Sequence, residues 1–192
     1  MLVVECFPFL NSMKSKIPTQ LRSRLQRIKL FLCDVDGVLT DGSVFIGGER
    51  EIKRFNIRDG LGMILAQRAG LKVGWVSARP SVVTEMRAKE LKIDFLVQQG
   101  DKLSKTGAVE GLLVREKIGW DGVCFVGDDV VDLGPLARAG LGVAVADARP
   151  EAKAAADFVT QSVGGRGAVR EVVEMILQAQ GKWESIIAVY RE

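Results

Sequence analysis

The amino-acid sequence predicts an α/β domain, a parallel sheet with helices on both faces. Short apolar runs rich in β-branched residues alternate with helical patterns from residue 28 onward, and such alternation implies βαβ units. The runs are continuously apolar rather than alternating, as expected of strands covered on both faces. Several end in polar clusters, Asp34/Asp36, Ser77/Arg79 and Asp128/Asp129. Parallel α/β sheets gather their ligands there, beyond the carboxyl ends of the strands.

Taken in order, residues 1–27 are assigned to an N-terminal extension. Its apolar stretch, MLVVECFPFL, is far shorter than the roughly 20 residues of a bilayer span and has no basic leader before it. Residues 1–12 read as poorly ordered, and translation from Met13 is an alternative. Residues 28–33 (IKLFLC) form a buried strand feeding the acidic turn DVDGVLTDG. Residues 43–55 read as a β-hairpin about Gly47-Gly48. A helix is expected over 59–69, stopped by Gly70, then a strand over 73–76, with 77–80 opening a helix that runs to about 90. Residues 95–97 suggest a short strand, and 102–117 a helix with Gly119 just beyond it. Strands at 122–126 and 143–145 enclose a helix over 131–139. A helix near 151–156, an edge strand at 158–159 and a helix over 169–180 complete a domain spanning 28–181. Residues 182–192 are a tail.

A length of 192 residues suits one domain, and 47% hydrophobic content is ample for its core. There is no histidine, which excludes Ser-His-Asp and Cys-His nucleophile systems and His-bearing zinc sites. Cys6, Cys33 and Cys124 fit no disulfide or metal framework, so a reducing cytoplasm is expected. Basic and acidic residues, 27 against 24, are mixed along the chain. Neither nucleic acid nor membrane is therefore an expected partner; the small positive excess suits a small anionic substrate.

In Asp34-Val35-Asp36-Gly37, two aspartates one residue apart on extended backbone share a side. Carboxylates so close repel unless a positive charge sits beside them, and hard oxygen ligands select magnesium. Asp128, also following an apolar strand, is the better choice for a further ligand, while Asp129 or Asp132 is a candidate helix cap. Ser77 offers a hydroxyl and adjacent N–H groups to an anion. Lys102 and Lys105 both qualify as the lysine that balances phosphate and carboxylate charge.

DVDGVLTDG (34–42), FNIRDGLG (55–62), VSAR (76–79), VGDDVVD (126–132), VAVADA (143–148) and GGRGAVREV (164–172) resemble the haloacid dehalogenase superfamily of phosphotransferases. Within it they are most similar to the 3-deoxy-D-manno-octulosonate 8-phosphate phosphatase family. The resemblance covers about residues 28–181. It implies a three-layer Rossmann-like parallel sheet of the haloacid dehalogenase type, capless, with a small β-hairpin insertion. It implies Asp34 as nucleophile and metal ligand, and Asp36 as acid/base whose backbone carbonyl also ligates Mg2+. Asp128 is implied as the remaining metal ligand, with Ser77 and Lys105 on the transferring phosphoryl group. The family's usual helix length before GDD implies Lys105, with Lys102 as the alternative. For the substrate it implies Asp36, Asn56, Ile57, Arg58, Asp59, Gly60, Arg79, Arg87 and Lys105. A guanidinium suits a sugar-acid carboxylate, whose two oxygens it can bind together. Relatives form homotetramers in which hairpin and tail help close a neighbouring site.

The chain departs from the family pattern at Ser77-Ala78-Arg79, where Thr-Gly-Arg is common, and at Ile64, where relatives often carry a basic residue. The second departure leaves a phosphatase for a related nine-carbon keto sugar acid as the alternative. A phospho-Asp receiver domain is the alternative of another class, and Asp36, a hydrolytic partner two residues beyond the nucleophile, argues against it.

Overall fold

The computed structural model describes residues 19–47, 50–100 and 104–191. The expectations for Cys6, residues 1–12, Met13, Gly48 and Lys102 lie outside these residues.

The continuously apolar runs become a six-stranded, all-parallel sheet. Its strands are β1 (Leu30–Cys33), β4 (Lys72–Ser77), β5 (Phe95–Gln98), β6 (Val123–Gly127), β7 (Leu141–Ala144) and β8 (Phe158–Val159), in spatial order β5-β4-β1-β6-β7-β8. All four residues of β1 are buried, because the strand is central and helices cover both of its faces. Its last residue, Cys33, pairs with Trp75 of β4 on one side and Val126 of β6 on the other. The chain departs from β1 in one direction to β4 and β5, then crosses back to β6, β7 and β8. That reversal creates the crevice at the carboxyl edge in which open α/β sheets bind ligands. The small antiparallel hairpin, β2 (Phe45–Gly47) and β3 (Arg50–Ile52), stands apart from the sheet.

The helices are α2 (Ile57–Arg68), α3 (Val82–Glu90), α4 (Thr106–Glu116), α5 (Leu133–Arg138), α6 (Pro150–Ala155) and α7 (Ala168–Ala179). Several boundaries move for identifiable reasons. Helix α3 begins at Val82, because Ser81 takes the cap by accepting from Thr84 N; Ser77 ends β4 and residues 78–80 form a loop rather than the helix's first turn. Lys105 is the residue preceding α4, so it projects from a turn rather than from a helix face.

Two described segments outside residues 28–181, the span expected for the domain, are helical and pack onto it. Residues Thr19–Arg27 form α1, which precedes β1 and packs against α7 with Leu21 and Leu25 buried. Trp183–Ala188 form α8, and Trp183 lies under the Arg170 guanidinium, 5.3 Å from the ring centroid. Leu21 and Leu25 share a helix face four residues apart, but within LRSRLQR they give too thin an apolar stripe to announce burial. Truncating the fully buried Leu25 to Ala should cost about 2–5 kcal/mol. Urea unfolding measures this, and an unchanged midpoint would return α1 to the status of an appendage.

Candidate active site

Each chemical group expected at the sheet edge arrives on its own strand. Asp34 follows Cys33, its backbone N–H donating to Val126 O at 2.9 Å. Ser77 ends β4, and Asp128 follows Gly127 at the end of β6. Together with Asp36, Ala78, Arg79, Asp129 and Val131 they line a pocket of about 230 Å³.

Beneath this pocket the charge is concentrated. Oxygens of Asp34, Asp128 and Asp132 lie within 4.8 Å of one another. The fully buried Lys105 sits among them, its Nζ 2.7 Å from Asp34 Oδ1 and 2.8 Å from Asp132 Oδ1. Asp132 is held by a capping box: its Oδ2 accepts from Asp128 N at 3.0 Å and Asp129 N at 3.4 Å, while Asp129 caps Val130 N. Asp132 is thus both a local cap and the second counter-charge of Lys105. Its Oδ1 role was missed because the local explanation suffices at the level of sequence.

Burial, and then repulsion from Asp132, push the Asp34 carboxyl up to about 7 against the attraction of Lys105. Burial followed by the charges of Asp34 and Asp132 pushes Asp128 up to about 8. For Lys105, burial alone would lower the pKa, but Asp34 and Asp132 outweigh it and hold the ammonium above its ordinary value.

Three carboxylates and one ammonium leave two negative charges, the complement of one divalent cation. The chain fits such an ion in two further respects. Asp128 Oδ1 is buried without a hydrogen-bond partner, and all the donors are hard oxygens, which suit magnesium. Gly37, at φ +91°, opens the approach: a Cβ there would lie 2.1 Å from Asp128 Oδ2.

Asp36 lines the same pocket, but its carboxylate is not part of the acidic cluster. It is drawn to Lys53, whose Nζ lies 2.8 and 3.0 Å from its two oxygens. Arg79 Nε stands 3.7 Å away on the pocket side. Ser77 Oγ turns onto its own loop, donating to Arg79 O at 3.0 Å and accepting from Arg79 N at 3.1 Å.

The remaining expected contacts are placed elsewhere. Asp59 is buried, and its carboxylate accepts from Gly167 N at 3.1 Å and Arg170 N at 2.8 Å, so it anchors the first turn of α7. Gly60 is buried against the Arg87 guanidinium, which pairs with Glu90. Asn56 caps α2 by accepting from Arg58 N, while Ile57 and the Arg58 side chain face outward. None of Asn56, Ile57, Arg58, Asp59, Gly60 or Arg87 lines the pocket of a single chain.

The chain resembles known proteins over most of its length. The family model for haloacid dehalogenase-like hydrolases matches residues 99–172. The 3-deoxy-D-manno-octulosonate 8-phosphate phosphatase of Salmonella typhi is 41% identical over 168 residues, 86% of this chain and 88% of that protein. The chain belongs to the 3-deoxy-D-manno-octulosonate 8-phosphate phosphatase family. The family phosphatase of Escherichia coli K12 is 42% identical, over 83% of this chain and 85% of its own. The structure of the family phosphatase from Moraxella catarrhalis, in complex with magnesium, phosphate and KDO, superposes with a TM-score of 0.86. It is 35% identical and is matched over 89% of this chain and 98% of its own.

The raised carboxyl values carry a pH prediction. A carboxyl whose folded pKa is raised contributes stability at pH below the unfolded value and loses it as pH rises through the folded value. Metal-free protein should therefore lose stability as pH rises from 3.8 toward about 7–8, the folded values of Asp34 and Asp128, and level off above them. Magnesium at ~100-fold over its Kd should raise Tm by about 5–10 °C at alkaline pH and by less near pH 5, where protons compete for the same oxygens. Thermal melts with EDTA or MgCl2 at the two pH values test this, and an equal gain at both would place the cation elsewhere.

Proposed function

We propose that this chain is a magnesium-dependent phosphomonoesterase acting on 3-deoxy-D-manno-octulosonate 8-phosphate through an aspartyl-phosphate on Asp34. The observation carrying the reading is the meeting of Asp34, Asp36, Ser77 and Asp128 in one pocket, with the ammonium of Lys105 against Asp34. The names of relatives at 41 and 42% identity support the substrate.

In the first half-reaction an Asp34 carboxylate oxygen attacks phosphorus. The bond from phosphorus to the sugar oxygen breaks, and Asp36 gives that oxygen its proton. In the second, Asp36 takes a proton from water as the water oxygen attacks phosphorus. The bond from Asp34 to phosphorus then breaks, releasing inorganic phosphate and restoring the carboxylate. Two easier displacements replace one difficult one, and proton transfer by Asp36 is worth roughly 10²–10⁴-fold. Ser77 and Lys105 hold the phosphoryl oxygens, and Lys105 is already fixed by two carboxylates before substrate arrives. A magnesium ion held by Asp34, Asp128 and the Asp36 carbonyl supplies, when bound, charge neutralisation on the transferring group. Arg79, half-exposed at the pocket mouth, is placed to take the sugar-acid carboxylate.

The reading extends to a homotetramer in the cytoplasm. Free, buried Cys33 and Cys124 suit a reducing compartment, and among the described residues no helix is long and apolar enough to cross a membrane. Phe45, Ile46, Ile52, Ile57 and Met86 are each more than 60% exposed. Phe45 and Ile52 are cross-strand partners and so share one face of the hairpin, which neighbouring subunits would cover.

Phosphate release with MgCl2 should be faster from the eight-carbon sugar acid phosphate than from its nine-carbon analogue. Asp34→Asn should fall to the level of buffer, and Lys105→Met should lose about 10²–10³-fold in kcat. Wild-type protein inert toward both sugars would sink the reading, and a long-lived phosphorylated Asp34 would favour a receiver. Light scattering should give the mass of four chains for wild type and a smaller assembly for Ile46→Glu. An Ile46→Glu protein that remains tetrameric would remove the hairpin from the interface.

A further inference from the structure

Lys53 lies immediately after β3, and its side chain is fully buried. Burying an ammonium is costly unless it is paired and hydrogen-bonded. Lys53 meets that condition through the active site: its Nζ contacts both oxygens of Asp36, donates to the buried Thr84 Oγ1 of α3 at 3.1 Å, and lies 3.7 Å from Glu51 Oε1. Glu51, two residues earlier and so on the same strand face, pairs with Arg79 and accepts from Ser81 Oγ at 2.9 Å. One face of the hairpin's second strand therefore delivers a cation to Asp36 and an anion to Arg79.

We infer that Lys53 is a positioning residue for Asp36, and that the hairpin is part of the reaction centre rather than only a surface insertion. The inference rests on the phosphatase reading above. Asp36 follows Asp34 by two residues, and without a competing partner its carboxylate would be free to swing into the cation site formed by Asp34, Asp128 and Asp132. Lys53 draws it to the opposite wall. There it can meet the oxygen leaving phosphorus and the water that replaces it. The pull is geometric: Lys53 donates to Asp36 Oδ2 and stands within ion-pair distance of Oδ1, and Thr84 holds Lys53.

First-turnover kinetics distinguish positioning from mere support. A sugar phosphate leaves as an alkoxide that needs a proton, whereas p-nitrophenyl phosphate releases a phenolate that needs none. Lys53→Met should slow first-turnover release of the sugar acid on the order of 10²-fold, with KM changed less than about threefold and p-nitrophenolate release slowed less than about threefold. Lys53→Arg should recover part of the sugar rate. Equal losses on the two substrates, or a Lys53→Met enzyme as fast as wild type, would overturn the inference. Should Lys53→Met fail to fold, Thr84→Val carries the same comparison, since it keeps the charge and removes its anchor. A loss confined to the sugar phosphate supports positioning, and an equal loss refutes it. Wild-type protein inactive on both compounds would instead defeat the phosphatase reading, with Asp34→Asn as the background control.

Discussion

The carboxyl edge of the sheet is organised around an electrostatic difficulty: three carboxylates buried together, answered within the chain by one ammonium. Lys105 bridges Asp34 and Asp132, yet the raised values of Asp34 and Asp128 show that one positive charge is not enough. The backbone is shaped to bring the carboxylates close despite the repulsion. Gly37 and Gly127 lack the Cβ atoms that would strike Asp128 and Asp132. The capping box around Asp132 spends backbone N–H groups on one of its oxygens, and hydrogen bonds of this kind stabilise a buried carboxylate. An assembly with two negative charges in excess is poised for a divalent cation and then for an anionic phosphoryl group.

Much of this was legible in the sequence, because its signals are local. Buried parallel strands write themselves as continuous apolar runs, and an acidic residue directly after such a run can only lie at the sheet edge. The position of Asp34, Asp128 and Ser77 at that edge was legible in this way, whereas the preference for Lys105 came from the family's usual helix length. What escaped was whatever depends on distant partners. Lys53, in the polar run REIKR, reads as a solvated strand residue until the fold closes over it. Helix α1 escaped because two leucines among arginines look like a polar leader.

FNIRDG and GGRGAVRE are joined by a different logic from the one that their motif character suggests. The first looks like a substrate loop, yet its Asp59 accepts from backbone N–H groups of Gly167 and Arg170. These belong to the first turn of α7, whose N–H groups have no partners within the helix. Gly164 and Gly165 lie against the backbone of Gly37 and Thr40 so closely that side chains would collide, and Gly165 N donates to Val38 O at 2.9 Å. The two motifs therefore brace the loop that carries Asp34 and Asp36. Motif residues can thus hold a loop in place through contacts with backbone.

The hairpin shows how a strand's period of two can connect chemistry to assembly. Glu51 and Lys53 face inward to Arg79 and Asp36, whereas Ile52 between them faces out and is 62% exposed. A two-stranded ribbon of this length is only marginally stable by itself, so its inner ion pairs and any cover on its outer face must support one another. Cover on Ile52 and its apolar neighbours would restrict the strand and so limit the freedom of Lys53. Loss of that cover would loosen Asp36 before it disturbed the cluster of Asp34, Asp128 and Asp132, which is built on the sheet itself. The two halves of the site thus rest on different foundations: the charge cluster on the central strands, and the Asp36 carboxylate, through Lys53, on an insertion whose Ile52 is exposed in a single chain.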